Sequence, residues 1–153
     1  MTTIVCTSDM MVADSCVVQD QLGTYPTSKL RRIGDSIFAC CGESSGHWDL
    51  LQDWIENGRK LKDRPKPDPD DDYFIIELSP KGIYIANQVG KFDKVNRKTF
   101  TAGSGRKVAS YCMEKLGMDA FKAALEACEY DKPWSAPPLH WMKLDGTEGT
   151  VEG

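Results

Sequence analysis

The 153-residue sequence predicts an α+β fold in which two mainly antiparallel sheets are stacked between helical layers. Two observations favour this class. The predicted elements run in the order strands, helix, strands, two helices and strand. Neighbouring strands are joined by short turns, as antiparallel pairs are, and no strand–helix–strand winding of a parallel sheet is visible. We expect one domain over residues 1–153.

Four short strands and a loop are predicted in the first part of the chain. Apolar and β-branched residues dominate the strand segments, which is typical of buried sheet positions. The predicted strands cover residues 2–8, 10–18, 30–34 and 36–41. Gly23 and Pro26 interrupt residues 19–29, which predicts a loop there.

A helix and an acidic connection follow. Trp48, Leu51 and Ile55 recur on one helical face, which predicts a helix over residues 46–60. The next stretch, RPKPDPDDD (64–72), contains three prolines and four aspartates and predicts a surface connection. Its proline-stiffened backbone lacks the turn glycine and alternately spaced ligands of a calcium loop, so no calcium site is predicted.

The second half of the chain predicts a hairpin, a strand, two helices and a closing strand. The segments YFIIEL and IYIA flank SPKG, whose proline and glycine occupy positions typical of a tight turn. Residues 98–105 predict a strand that enters a glycine-flanked turn. The later elements are helices over 105–116 and 118–128, a strand over 139–144 and a flexible polar tail over 146–153.

Composition and charge exclude several classes of partner. A net charge of −4 and a pI of about 5.2 argue against nucleic acid or an anionic membrane surface. No apolar stretch approaches the ~20 residues that a membrane-spanning helix needs. The first residues also lack the basic and apolar regions of a secretory signal, so we expect a cytoplasmic protein.

The cysteines favour a reduced interior over a disulfide or metal framework. No C-x-x-C pair occurs, the two histidines stand apart, and a chain of this length can build a core without disulfides. Several cysteines lie in apolar runs, where cysteine behaves as a small hydrophobic residue. The six are Cys6, Cys16, Cys40, Cys41, Cys112 and Cys128.

The second residue offers a candidate nucleophile. A threonine hydroxyl needs an adjacent base, and an N-terminal threonine carries one in its α-amine, whose reference pKa of ~7.7–8.0 lies near neutrality. A nearby ammonium would tune both groups, and a carboxylate would hold that ammonium in place. Thr2, Lys29 and Asp14 supply these groups once Met1 is removed, which we expect because threonine is small. Composition alone does not justify this assignment, because an ordinary strand or surface residue is then the favoured interpretation.

Four segments in order resemble the proteasome β-subunit family and, within it, the bacterial HslV-type peptidases. They are TTIV at the start, VADS on the second strand, SKLRRI after a loop and TAGSG before a helix. The likeness covers most of the chain and weakens past about residue 130. It implies the N-terminal-nucleophile hydrolase fold, a four-layer α-β-β-α sandwich.

The resemblance also implies a role for each matching residue. Thr2 would be the nucleophile and, through its amine, the general base. Lys29 would tune the pKa of the nucleophile, Asp14 would pair with Lys29, and Ser104 would hydrogen-bond the amine.

Two further features match the family less closely. Asp131 and Ser135 would form a supporting pair, although their spacing is one residue longer than the family pattern. The family places a glycine after the alanine that ends the third strand, and its backbone N–H stabilises the oxyanion. Here Ala39 is followed by Cys40, whose N–H is still available as a donor.

The resemblance implies peptide-bond hydrolysis through an acyl ester on Thr2, without a cofactor. It further implies a ring-shaped homo-oligomer, unfolded polypeptide substrates and an ATP-driven unfoldase partner. Two alternatives stay open: a catalytically silent ring subunit, suggested by Cys40 and the spacing of Asp131 and Ser135, and an amidase acting on a small molecule. A nucleophilic cysteine at position 40 or 41 is disfavoured, because both lie in an apolar run.

Overall fold

Two five-stranded sheets, a two-stranded ribbon and three α-helices form the described part of the chain. The computed structural model describes residues 2–19, 23–43, 47–67, 69–70, 72–87 and 91–153. Within these residues, every strand pairs antiparallel with its neighbours in the sheet.

Twelve strands are present within the described residues. In chain order they are β1 (Thr3–Cys6), β2 (Met10–Ala13), β3 (Cys16–Gln19), β4 (Gly23–Pro26), β5 (Leu30–Ile33), β6 (Ser36–Glu43), β7 (Asp72–Ser79), β8 (Gly82–Asn87), β9 (Asp93–Val95), β10 (Phe100–Gly103), β11 (Leu139–Lys143) and β12 (Glu148–Val151). The first sheet has the order β10-β1-β2-β11-β12, the second sheet has the order β5-β6-β7-β8-β9, and β3 pairs with β4.

The helices are α1 (His47–Glu56), α2 (Arg106–Glu114) and α3 (Ala120–Tyr130), and a short 3-10 helix covers Leu61–Asp63. The side chain of Asp119 caps the start of α3 by accepting a hydrogen bond from the Lys122 N–H at 2.9 Å. None of the described helices has the length and apolar character that crossing a membrane requires.

Three apolar clusters define four layers. The inter-sheet cluster joins the inner faces of the two sheets, with Ile4 and Met11 meeting Ile37 and Ile76. Its buried members are Ile4, Cys6, Met11, Ala13, Leu30, Ile37, Ala39, Cys41, Ile76, Leu78, Ile83 and Ala102. Neighbouring residues on a strand point to opposite sides of the sheet, and in both sheets the residues that point outward include apolar ones.

These outer faces are covered by the helices. Small residues on α2 and α3, such as Ala109 and Ala124, pack against Val5 and Val12 of the first sheet. On the other side, the α1 cluster joins α1 to the second sheet and contains Phe38, Leu51, Trp54, Ile55, Tyr73 and Ile75. The predicted α+β sandwich with two stacked antiparallel sheets is therefore confirmed.

The structure corrects several predicted boundaries. The strand predicted over 10–18 breaks between β2 and β3, and β4 lies inside the loop predicted over 19–29. The sequence prediction missed β9. The prediction of a flexible tail over 146–153 is wrong for β12, which pairs with β11. Parts of three predictions lie outside the described residues: 20–22 of the loop, 46 of the first helix, and 68 and 71 of the acidic connection.

The cysteines follow the prediction of mostly buried thiols. All six are free, five are buried, and Cys40 is partly buried. Cys6 and Cys41 belong to the inter-sheet cluster, whereas Cys112 lies on α2 and Cys128 on α3.

Candidate active site

Thr2 is held beside the end of β10 by the pairing of the first sheet. The register sets Thr3 opposite Gly103, so that the next residues, Thr2 and Ser104, meet. Gly103 has a φ of +89°, and a Cβ atom there would lie 1.9 Å from the Thr2 carbonyl oxygen. Only glycine permits both this backbone conformation and this approach. Thr2 is 6% exposed.

Lys29 joins Thr2 to Asp14. Its Nζ donates to the Thr2 hydroxyl oxygen Oγ1 at 2.8 Å and to Asp14 Oδ1 at 2.8 Å. The Lys29 side chain is 9% exposed and that of Asp14 is fully buried. The three residues that sequence analysis named as nucleophile, cation and carboxylate therefore lie in contact.

Asp14 occupies the break between β2 and β3. Its carboxylate accepts backbone N–H groups from three separate segments: Thr3 at 2.9 Å, Cys16 at 3.0 Å and Ala136 at 3.2 Å. A buried charge is costly unless it is paired and hydrogen-bonded, and these donors together with Lys29 supply both conditions. Sequence analysis missed this break between the strands. The break leaves both Asp14 oxygens able to accept hydrogen bonds from buried donors.

A second hydrogen-bonded chain reaches the Thr2 nitrogen. The Thr2 N–H donates to Ser104 Oγ at 3.3 Å, and Ser104 Oγ donates to Asp131 Oδ2 at 2.5 Å. Ser135 Oγ donates to the same Asp131 oxygen at 2.5 Å, and it lies 2.8 Å from Thr3 Oγ1. The Asp131 and Ser135 pair therefore joins the site through Ser104.

The donor and acceptor roles in this series of hydrogen bonds follow from the number of protons that each hydroxyl carries. A serine hydroxyl has one proton to donate, and both Ser104 and Ser135 give theirs to the Asp131 carboxylate. Ser104 is then left as an acceptor toward the Thr2 nitrogen, and Ser135 as an acceptor toward the Thr3 hydroxyl. Asp131, at the C-terminal end of α3, orients both serines.

A cavity of about 510 Å³ opens in front of Thr2. It lies between the ends of β6, β7 and β8 on one side and the turn after β10 on the other. The described lining residues are Thr2, Cys41, Gly42, Asp72, Tyr73, Phe74, Asn87, Gly103 and Ser104. Thr2 can therefore be reached from this cavity.

Cys40, the expected oxyanion donor, is not among the described lining residues. Its side chain packs with the α1 cluster on the outer face of the second sheet. The next two residues, Cys41 and Gly42, line the cavity instead. Gly42 has a φ of +104°, and a Cβ there would lie 2.3 Å from the Asp72 carbonyl oxygen, so this position also requires glycine.

Cys41 is poorly suited to act as a nucleophile, although it lines the cavity. Burial raises the pKa of its thiol to about 12, more than the nearby Lys29 ammonium lowers it. The reactive species of cysteine is the thiolate, which is scarce far below the pKa. Nor do three His, Cys, Asp or Glu side chains gather as a metal site anywhere in the described ranges.

Sequence analysis did not name Thr3, Gly42 or Asp72 as members of this site. Thr3 lies in the TTIV segment, but its contacts with Asp14 and Ser135 depend on the fold. Gly42 and Asp72 carry no recognisable motif, and their positions depend on which strands pair. The glycine at 42 was the one available signal, because a glycine at the end of an apolar strand often marks a special backbone conformation.

Comparison with solved structures identifies the fold. The eukaryotic HslV from Trypanosoma brucei superposes with a TM-score of 0.64 at 20% identity, over 99% of each chain. BPH from Thiobacillus denitrificans, solved in complex with Epoxomicin, gives 0.59 at 17% identity, over 94% of this chain and 98% of its own. A mutant of Anbu from Hyphomicrobium sp. strain MC1 gives 0.69 at 11% identity, over 100% of this chain and 88% of its own.

The chain has the fold of HslV, BPH and Anbu over nearly its whole length, which confirms the fold implied by the sequence resemblance. No protein-family model matches the sequence. No curated protein matches it either.

Replacing Gly103 tests the close approach to Thr2. Both Gly103 (φ +89°) and Gly34 (φ +59°) adopt left-handed conformations, so alanine at either position costs about 1–2 kcal/mol in backbone strain. At Gly34 nothing lies within 4 Å of the added Cβ, which makes Gly34→Ala the matched control. Urea denaturation should show that Gly103→Ala loses about 1–3 kcal/mol more free energy of unfolding than the control. Equal losses would contradict the packing of the turn on Thr2.

The raised pKa of Cys41 predicts resistance to alkylation. Because the thiolate becomes abundant only as the pH approaches about 12, iodoacetamide at neutral pH should leave Cys41 unmodified in the folded protein. Peptide mass mapping measures the modification at each cysteine. Unfolded protein is the control, since exposure returns the thiol to a pKa of about 8.5 and permits labelling. Rapid labelling of Cys41 in the folded protein would contradict its burial.

Proposed function

We propose that this chain is a threonine-type peptidase that hydrolyses peptide bonds through Thr2 after removal of Met1. The observation that carries the proposal is the position of the Lys29 Nζ, 2.8 Å from both Thr2 Oγ1 and Asp14 Oδ1. A cation fixed against a hydroxyl oxygen favours the negative charge that develops on that oxygen during attack. The proteasome-type fold supports the same reaction class.

Removal of Met1 creates the base. In the unprocessed chain the Thr2 nitrogen belongs to a peptide bond and cannot accept a proton. Once freed, it becomes an α-amine on the same residue as the hydroxyl, and its reference pKa of about 7.7–8.0 suits a base near neutral pH. Ser104, an acceptor toward this nitrogen, holds it in place.

The first half-reaction forms an ester. The Thr2 amine takes the hydroxyl proton while Oγ1 bonds to the substrate carbonyl carbon, and Lys29 stabilises the charge on Oγ1. Backbone N–H groups of Cys41 and Gly42, which line the cavity, are our candidates for stabilising the oxyanion in place of Cys40. The amide C–N bond then breaks, and the protonated amine of Thr2 gives its proton to the departing amine.

The second half-reaction releases the product. The Thr2 amine takes a proton from water, and the oxygen of that water bonds to the acyl carbon. The ester bond breaks, the proton returns to Oγ1, and a carboxylic acid leaves. Asp131 and Ser135 act as positioning residues in both halves, because Asp131 orients the Ser104 hydroxyl that contacts the Thr2 nitrogen.

The remaining features are carried over from the sequence resemblance. We propose a ring-shaped homo-oligomer whose sites face an enclosed chamber, with unfolded polypeptides as substrates and an ATP-dependent unfoldase as partner. A cytoplasmic location fits these partners. We also propose that epoxomicin, bound to BPH in its solved structure, labels this protein at Thr2.

The Thr2 variants test the proposal directly. Thr2→Ala is expected to reduce peptide hydrolysis to the background rate, because it removes the nucleophile but leaves the backbone contacts of β1 in place. Thr2→Ser keeps a hydroxyl and should retain measurable turnover. Thr7→Ala, in the turn just after β1 and outside the site, is the matched control and should hydrolyse a fluorogenic peptide at the wild-type rate.

Intact mass is measured on each protein before the assay, so that only chains lacking Met1 are compared. Wild-type turnover by Thr2→Ala would contradict the mechanism. Full retention of Met1 in the wild-type protein would instead support the silent ring subunit, because its Thr2 nitrogen could not act as a base.

A further inference from the structure

The cavity in front of Thr2 has one charged residue in its described wall. Of the nine lining residues, Asp72 alone carries a side-chain charge, and it is solvent-exposed. The others are apolar, neutral polar or glycine. A carboxylate in a concave wall makes the potential near it negative.

The pleat of β7 places Asp72 on the cavity side of the second sheet. Tyr73 packs into the α1 cluster on the outer face, whereas Phe74 packs against the inter-sheet cluster. Alternate residues of a strand share a face, so the Asp72 side chain lies on the same face as Phe74. That face looks toward Thr2 across the cavity.

No cation neutralises Asp72 within the described part of the chain. The ion pairs found there join Lys29 to Asp14, Arg59 to Glu77 and Lys132 to Glu129. The Lys29 ammonium is already engaged by Asp14 and Thr2 Oγ1.

We infer that Asp72 selects substrates with a basic side chain next to the scissile bond. This inference rests on the proposed peptidase function and names the substrate class of that same site. A lysine or arginine in the cavity would place its charged end near the Asp72 carboxylate, and its methylene groups would pack against Phe74. An acidic side chain at the same position would meet a like charge and be disfavoured.

The carboxylate acts here through charge and not through metal binding. A metal site would need further ligands, and the described residues contain no group of three His, Cys, Asp or Glu side chains around Asp72. The neutral amide of Asn87 and the neutral phenol of Tyr73 are further polar lining side chains from the second sheet. A single carboxylate beside neutral groups fits an organic cation.

The experiment compares three fluorogenic peptides that differ only at the residue before the cleaved bond: arginine, norleucine or glutamate. Wild-type kcat/KM should be about fivefold higher for arginine than for norleucine, the size expected of a partly exposed ion pair, and lowest for glutamate. Asp72→Asn should remove the arginine preference and leave the norleucine rate within about twofold. Asp35→Asn, an exposed turn residue outside the cavity, removes the same charge and should change neither rate.

A binding arm separates this inference from the proposed function. Affinities of the arginine and norleucine peptides are measured by fluorescence anisotropy on Thr2→Ala and on Thr2→Ala combined with Asp72→Asn. Tighter arginine binding that depends on Asp72 supports the inference, even if the wild-type protein hydrolyses none of the peptides and the proposed function fails. Equal affinities, an arginine preference that survives Asp72→Asn, or an equal loss with all peptides would overturn it.

Discussion

The contact of one ammonium group with two oxygens holds this site together. Lys29 Nζ lies 2.8 Å from the fully buried Asp14 carboxylate and 2.8 Å from the Thr2 hydroxyl. An unpaired carboxylate in that position would cost several kcal/mol, which the ammonium and three backbone N–H groups offset. Because Asp14 fixes Lys29, the cation meets the hydroxyl in one geometry, and the proposed attack by Thr2 would need little reorganisation.

The start of β1 is where both hydrogen-bonded chains meet. The Thr3 N–H binds Asp14, and the Thr3 hydroxyl contacts Ser135, while Ser104 contacts the Thr2 nitrogen. The first residue of the proposed mature chain is therefore held from both sides, unlike most termini, which are poorly ordered. The close packing of Gly103 against the Thr2 carbonyl oxygen also holds the backbone of Thr2 in place.

The sequence predicted the parts of the fold that carry strong local patterns. Alternating and helical apolar periods located the hairpin β7–β8 and all three helices, because these elements bury a continuous face. The strands β4, β9 and β12 were missed because they are three or four residues long and contain glycine, proline or charged residues, which are typical of loops. Gly42 and Asp72 were missed for a different reason, since they reach the site only through the pairing of β6 with β7. Thr2, Asp14, Lys29 and Ser104 were named from family-like segments, not from periodicity.

The central claim is that a freed amine and the hydroxyl of Thr2 act together. Its most direct test is to treat protein that has lost Met1, as verified by intact mass, with a covalent threonine-directed inhibitor and to map the adduct by peptide mass spectrometry. The account predicts one adduct per chain, located on Thr2 and absent from Thr2→Ala. An adduct elsewhere, or no adduct on chains that begin at Thr2, would contradict it.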